Sequence, residues 1–223
     1  MNKISKVTLL IFLLAGMASC DIDHIWDKDY LFEYMQPQDG VFVYDCSSYT
    51  TWHYFSFAAG GIIGSCQVTD TIATEVWRNR TDWDLAFHRQ NIKTNSGVSG
   101  VGMGGILKYP QDNFDFDAVV IAPEEGYQTD MPDSIVYDLS QMAAGIIGYA
   151  HTGLAQPVRR WAVLTDMMSS LWTYMQNVFI VRTADGKYAK IYLNNFKSDI
   201  GVSGTVTMQY VYQPDGSVNL KGN

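Results

Sequence analysis

The stretch VFIVRTADGKYAKIYL, residues 178–193, decides how this chain folds. Two runs rich in β-branched and aromatic residues flank Ala184-Asp185-Gly186. Asp-Gly is a preferred hairpin dipeptide, because glycine enters the positive-φ region of a tight turn without a Cβ penalty. Two such runs around such a turn predict a pair of antiparallel strands.

Runs of the same kind recur on both sides. GVFVYD (40–45) alternates, and YTTWHYFSFAAGG (49–61) sets Trp52, Tyr54 and Ser56 on one face and Thr51, His53, Phe55 and Phe57 on the other. DWDLAFHRQNIK (82–93) reads as one strand-length run, entered from polar RNRT. FDAVVIA (116–122), DSIVYDL (133–139), RRWAVL (159–164) and GTVTMQYVYQPDGS (204–217) supply further strands. NSGVSGVGMGG (95–105) is a glycine-rich turn region whose glycines make turns or let two backbones approach. TDTIATEVWRN (69–79) is the best short helix, and no internal repeat is visible. The expected fold class is all-β: a single domain of mostly antiparallel sheets over residues 40–214, with a C-terminal tail at 215–223.

Composition narrows the function. Hydrophobic residues make up 47% of the 223 and charged residues 17%, which fits a globular domain with a sizeable core. Aromatics reach 13%, with 14 Tyr and 6 Trp, a bias towards strands and flat binding surfaces. The formal charge is -8 and no basic stripe follows residue 20, so nucleic acid is excluded as a partner.

The N-terminus, MNKISKVTLLIFLLAGMASC, has two lysines, an apolar run from Val7 to Ala15 and small residues before Cys20, the layout of a secretory signal. The run is shorter than the roughly 20 residues that span a bilayer. Ala18-Ser19 directly before Cys20 resembles a bacterial lipoprotein cleavage box, in which the cysteine is lipidated and becomes the first mature residue. Residues 1–19 are then a signal peptide and 20–39 a lipidated tether. Losing Lys3 and Lys6 leaves 13 basic against 23 acidic residues, a net charge of -10. The expected location is the outer membrane of a Gram-negative envelope, held only through the lipid and facing the cell surface, with release as a further state. Cys46 and Cys66 remain as a pair that a disulfide could join outside the cytoplasm; their spacing permits it and does not establish it.

Enzymatic constellations are weak. Asp82 and Asp84 flank Trp83 and raise a glycosidase question, but edge or turn carboxylates pairing with Arg78, Arg80 or Arg89 are the simpler reading. His24, His53, His88 and His151 are scattered, without partners at zinc-site or catalytic-triad spacing. The glycine-rich run lacks the GK[ST] ending of a phosphate loop. No enzyme is expected. The methionines are more informative. Met175 and Met208 lie in or beside strand patterns and belong to the core, where methionine fills gaps. Met142 ends SIVYDLSQM, where strand gives way to AAGIIG, and Met167-Met168 sit in a loop bounded by strands. Loops between strands are where ligands are usually held.

YTTWHYFSF, TDWDLAFHRQNIKTNSGVSGVGMGG, NVFIVRTADGKYAKIYL and GTVTMQYVYQPDGS, in this order and behind a lipoprotein signal, resemble the HmuY-like haem-binding lipoproteins. The resemblance implies a one-domain all-β fold whose paired strand-end loops grip haem b like fingers. It also implies a haemophore role in iron acquisition: taking haem from host haemoproteins and delivering it to a TonB-dependent outer-membrane receptor. The best-known member ligates iron with two histidines, and this chain departs from it. The first ligand loop carries Met142, with no histidine before His151, and the second, TDMMSSLWTYMQN, carries none. Other relatives use methionine in both loops, the second often in an MPP-x-Y context. Met168-Ser169-Ser170-Leu171-Trp172 aligns with that pattern without a gap. The implied axial pair is therefore Met142 and Met168, with Met167 as a wall; Met167 or His151 as a ligand stays open. His88 falls at a family position that is not a ligand. Trp161, Trp172 and Tyr149 could line the slot, and Arg159, Arg160 or Lys108 could pair with the propionates. A neutral, soft thioether pair favours ferrous iron. The alternative keeps the fold and loses haem: a surface-anchored binding or adhesion module for a glycan or a protein.

Overall fold

The computed structural model describes residues 38–110 and 115–222. The signal peptide, Cys20 and most of the tether lie outside the described residues. Among the described residues, thirteen strands, one helix and two short 3-10 turns follow in chain order. They are β1 (Gln38–Asp45), β2 (Thr51–Ser56), β3 (Gly61–Gln67), α1 (Thr71–Arg78), β4 (Leu85–His88), β5 (Asn91–Thr94) and β6 (Gly105–Lys108). Then come β7 (Met131–Asp138), β8 (Gly148–Leu154), β9 (Ala162–Asp166), β10 (Leu171–Tyr174), β11 (Val178–Arg182), β12 (Tyr188–Lys197) and β13 (Ser203–Gln213). A five-stranded sheet runs β1-β13-β12-β11-β6 and a four-stranded sheet runs β3-β2-β4-β5. β7-β8 and β9-β10 are separate two-stranded sheets. Every strand pair is antiparallel, so the chain is mostly β, as its alternation predicts.

The β11-β12 hairpin shows why its sequence is so apolar. Phe179 and Val181 point into the main core, where they meet Phe55, Phe87, Ile191 and Met208 between the two larger sheets. Val178 and Ile180 point the other way, onto Phe116, Val119, Ala122 and Leu220. Both faces of β11 are buried, so its residues read as a continuous hydrophobic run. β2 divides in the same manner. Trp52 and Tyr54 join Trp77 of α1 and Trp83 on one side, while Phe55 and Phe57 enter the main core on the other. Alternation along the strand accounts for the division, with Trp52 and Tyr54 on one face and Phe55 and Phe57 on the other. α1 starts on Asp70, whose Oδ1 accepts from the Ala73 amide at 2.9 Å, and Trp77 stacks on Tyr54 with ring centroids 4.0 Å apart.

Four expectations need correction. DWDLAFHRQNIK is two short strands about an Arg89-Gln90 turn, not one run. Arg89 adopts φ 52°, and tertiary contacts hold it there: its guanidinium lies 4.0 Å from the Tyr49 ring and donates to the Ser47 carbonyl at 2.6 Å. FDAVVIA is not a strand. It lies over the five-stranded sheet, making one bridge, Ile121 to Asn219, and Lys190 takes the Phe116 and Val119 carbonyls at 2.9 Å each. Residues 215–222 are no free tail, since Leu220 is fully buried and its amide bonds the Val120 carbonyl. Finally, only Asp82 pairs with an arginine, Arg80, at 2.6 Å. Asp84 is buried and accepts the Phe57 and Ala184 amides at 2.8 and 3.0 Å, pinning the Asp-Gly turn to the four-stranded sheet. Cys46 and Cys66 are free thiols in separate cores.

Candidate functional site

Two hairpins build the site. β7 and β8 are joined by residues 139–147, in which a 3-10 turn, Met142–Ala144, ends on Gly145 at φ 77°. Every residue from 140 to 147 is exposed. β9 and β10 are joined by Met167 to Ser170. There Asp166 accepts from the Met168 amide at 2.9 Å and the Ser169 hydroxyl at 2.6 Å, which keeps its carboxyl below the ordinary range. The first tip presents Met142, 57% exposed; the second presents Met167 at 81% and Met168 at 99%. No core contact explains these thioethers, so gap-filling is not their role.

A cleft of about 450 Å³ lies between the two hairpins. Its apolar lining comes from Val136 and Leu139 beside the first tip, Leu164 on the second hairpin, and Tyr149 and Trp172. Trp172 is fixed from behind: its indole N–H donates to the Ser203 hydroxyl at 2.9 Å and its ring meets Phe196 edge-on at 4.7 Å. Tyr149 stands opposite Val136 in the β7-β8 ladder. Around the cleft, Met142, Ile146, Ile147, Leu164, Met167, Met168 and Leu171 are all exposed. Other apolar side chains, such as Ile72 and Val76 of α1, are exposed too, but these seven share two neighbouring hairpins and make that surface the candidate site.

The opposite end of the lining is polar, formed by Tyr49, Arg89, Asn91, Ser134, Arg159 and Arg160. Arg159 is committed to the protein. It donates to Asp133 at 2.8 Å and to Asn91 at 3.0 Å, tying the β7 root to the β4-β5 turn. Burial raises the Asp133 carboxyl, and the bonds from Arg159, the Ser134 amide and Gln156 outweigh that and leave it lowered.

The structure therefore brings Met142, Tyr149, Met167, Met168 and Trp172 to one pair of hairpins, and Arg159 and Arg160 to the cleft between them. Three expected contributors stand elsewhere. Trp161 is fully buried in the main core, its indole bonded to the Gln90 carbonyl, so it lines no slot. Lys108 ends β6 at the edge of the five-stranded sheet. His151 lies nearer the root of its hairpin, bonded through Nδ1 to Ser134 Oγ at 3.1 Å, and lines a different hollow with Arg78 and Thr152. His88 is structural: buried, bonded to the Tyr49 carbonyl at 2.6 Å and pushed by burial down to about 4. Sequence reading missed Arg89, Val136, Leu139 and Leu164 as lining.

Comparison with known proteins agrees with this architecture. The HmuY protein family matches residues 48–210. A Bacteroides vulgatus ATCC 8482 structure, described as HmuY-like and heme-binding, superposes with a TM-score of 0.63 at 26% identity, covering 81% of this chain and 94% of its own. A Bacteroides fragilis NCTC 9343 structure described as a lipoprotein gives 0.62 at 25% identity, with 78% and 89% covered. The apo HmuY analog of Tannerella forsythia shares the fold at 20% identity, with a TM-score of 0.60 and coverage of 80% and 97%. No curated protein matches the chain. The fold, the paired hairpins and the match across 48–210 together make this chain a member of the HmuY family.

Proposed function

We propose that this protein is a haem carrier that holds haem b between its two hairpins, with Met142 and Met168 as axial ligands and Met167 beside them. One observation carries the reading: each hairpin tip presents an exposed methionine, and the cleft between the hairpins has an apolar end lined by Leu139, Leu164 and Trp172. Haem is a flat apolar ring with two carboxylates, and such a slot removes its faces from water. The residues present fit it. Val136, Leu139, Leu164 and Tyr149 offer apolar surface, and the thioethers offer neutral, soft donors suited to ferrous iron. Membership of a family with a heme-binding description among its structural neighbours supports the same ligand.

The remaining parts of the reading follow from the sequence. Lipidation at Cys20 would anchor the carrier to the outer membrane, facing outward, and its cargo would pass from host haemoproteins to a TonB-dependent receptor. A carrier needs exposed tips, since both donor and receptor must reach the haem. Ligand exchange and no turnover is the chemistry expected.

The test is an absorption titration of the mature protein with haem, with and without dithionite, repeated for Met142→Ala and Met168→Ala. Sharp low-spin ferrous bands in the parent protein, lost in both variants, are expected. Absence of bands in both redox states would end the haem reading and turn attention to a glycan or protein ligand for the exposed tips.

A further inference from the structure

The cleft is chemically graded along its length. Its tip side is apolar, with Leu139 and Leu164, while its root side gathers Arg89, Arg159 and Arg160. No Asp or Glu is among its lining residues, in a chain of net charge -8. Two of the three guanidinium groups are already used. Arg159 is paired with Asp133 and bonded to Asn91. Arg89 is stacked on Tyr49, bonded to Ser47 and within the field of Asp45. Arg160 has no hydrogen bond, ion pair or ring contact among the described residues and stands exposed in the turn before β9. An acidic chain that leaves one arginine unpaired at the end of an apolar slot offers a bidentate donor for a carboxylate.

We propose that the cleft selects tetrapyrroles bearing free carboxylates, taken with the carboxylate end towards the hairpin roots and held there by Arg160. This rests on the haem reading above and adds an orientation and a selectivity to it. Arg159 and Arg89 position the cleft wall and set a positive local field; Arg160 makes the contact. Lys108, on a remote sheet edge, takes no part.

The experiment titrates the purified protein with haem and with haem dimethyl ester, whose two carboxylates are blocked, and repeats both with Arg160→Ala and Lys108→Ala. Arg160 is exposed and makes no hydrogen bond, ion pair or ring contact among the described residues, so its removal should leave the unfolding midpoint unchanged. The parent protein should bind haem about tenfold or more tighter than the ester, the worth of one charged hydrogen-bonded pair. Arg160→Ala should lose that difference by weakening haem alone, and Lys108→Ala should keep it. Equal affinity of the parent for haem and ester would overturn the proposal, as would an equal loss for both ligands in Arg160→Ala. Either result leaves haem binding standing. If the parent protein binds neither ligand, the haem reading itself falls and takes this one with it.

Discussion

Asp84 and the tip methionines mark the two extremes of what a single residue does here. Asp84 is buried, and burial raises its carboxyl from 3.8 to about 6 despite the amides of Phe57 and Ala184. The native state therefore binds a proton that the unfolded chain releases, so this group's stability contribution is full below its unfolded value and lost as pH rises through its folded one. Asp84→Asn removes the titration. The stability difference between parent and variant should shift in the parent's favour by about 2 kcal/mol between pH 7 and pH 4, read from urea midpoints. His88, lowered from 6.5 to about 4, works in the opposite direction but is common to both proteins and cancels. Asp84→Ala should cost about 1–3 kcal/mol or more at any pH, because two buried amides lose their acceptor. Met142→Ala and Met168→Ala should move stability by less than about 0.5 kcal/mol, since both side chains are exposed. Loss of haem bands in those variants would then report ligation and not unfolding.

At the scale of elements, the two kinds of hairpin differ in what holds them. The β11-β12 hairpin is held by burial of both faces and by its Asp-Gly turn, where Gly186 has φ 86° and a Cβ would come within 2.9 Å of the Met103 methyl. Gly186→Ala should lower stability by about 1–2 kcal/mol, a drop of a few degrees in Tm, through left-handed strain. The β7-β8 hairpin is held along its lower half, where Ile135 and Leu154 are buried beside Trp52 and Trp83, and by polar bonds at its root. There Asp130, raised by burial to about 6, accepts the Thr94 amide and hydroxyl, and Asp133 takes Arg159. Its tip buries nothing. Replacing residues 140–147 by Asn-Gly should leave the urea midpoint unchanged and abolish haem bands. A fall in stability with that replacement would show that the tip packs into the fold.

For the whole molecule, the separation of a doubly covered double-sheet body from two projecting hairpins sets the expected response to ligand. The main core and the two outer clusters stabilise the body without any ligand, so apoprotein should unfold cooperatively. A ligand that binds only the folded state adds RT ln(1 + [L]/Kd), about 2.7 kcal/mol at a hundredfold excess over Kd. Reduced haem should raise Tm by several degrees, and Met168→Ala should remove that rise while leaving the apo Tm in place. A scanning calorimeter in the presence of dithionite would read both.

How much of this was legible in the chain follows from the range of the forces involved. Alternation, the Asp-Gly turn and the TDTIATEVWRN pattern are local signals, and by themselves they determined the all-β class, the central hairpin and the helix α1. Methionine in two loops, with a family resemblance, likewise singled out the tips. Tertiary structure alone decided the rest. Trp161, just before β9, is core, and Trp172, in its partner strand β10, lines the cleft. FDAVVIA became a cover for the sheet because Lys190 claimed its carbonyls. Arg159 and Arg160 are neighbours in sequence, yet only one meets Asp133. Which face a side chain takes is set by period; which partner waits on that face depends on residues dozens of positions away, and no local pattern encodes that.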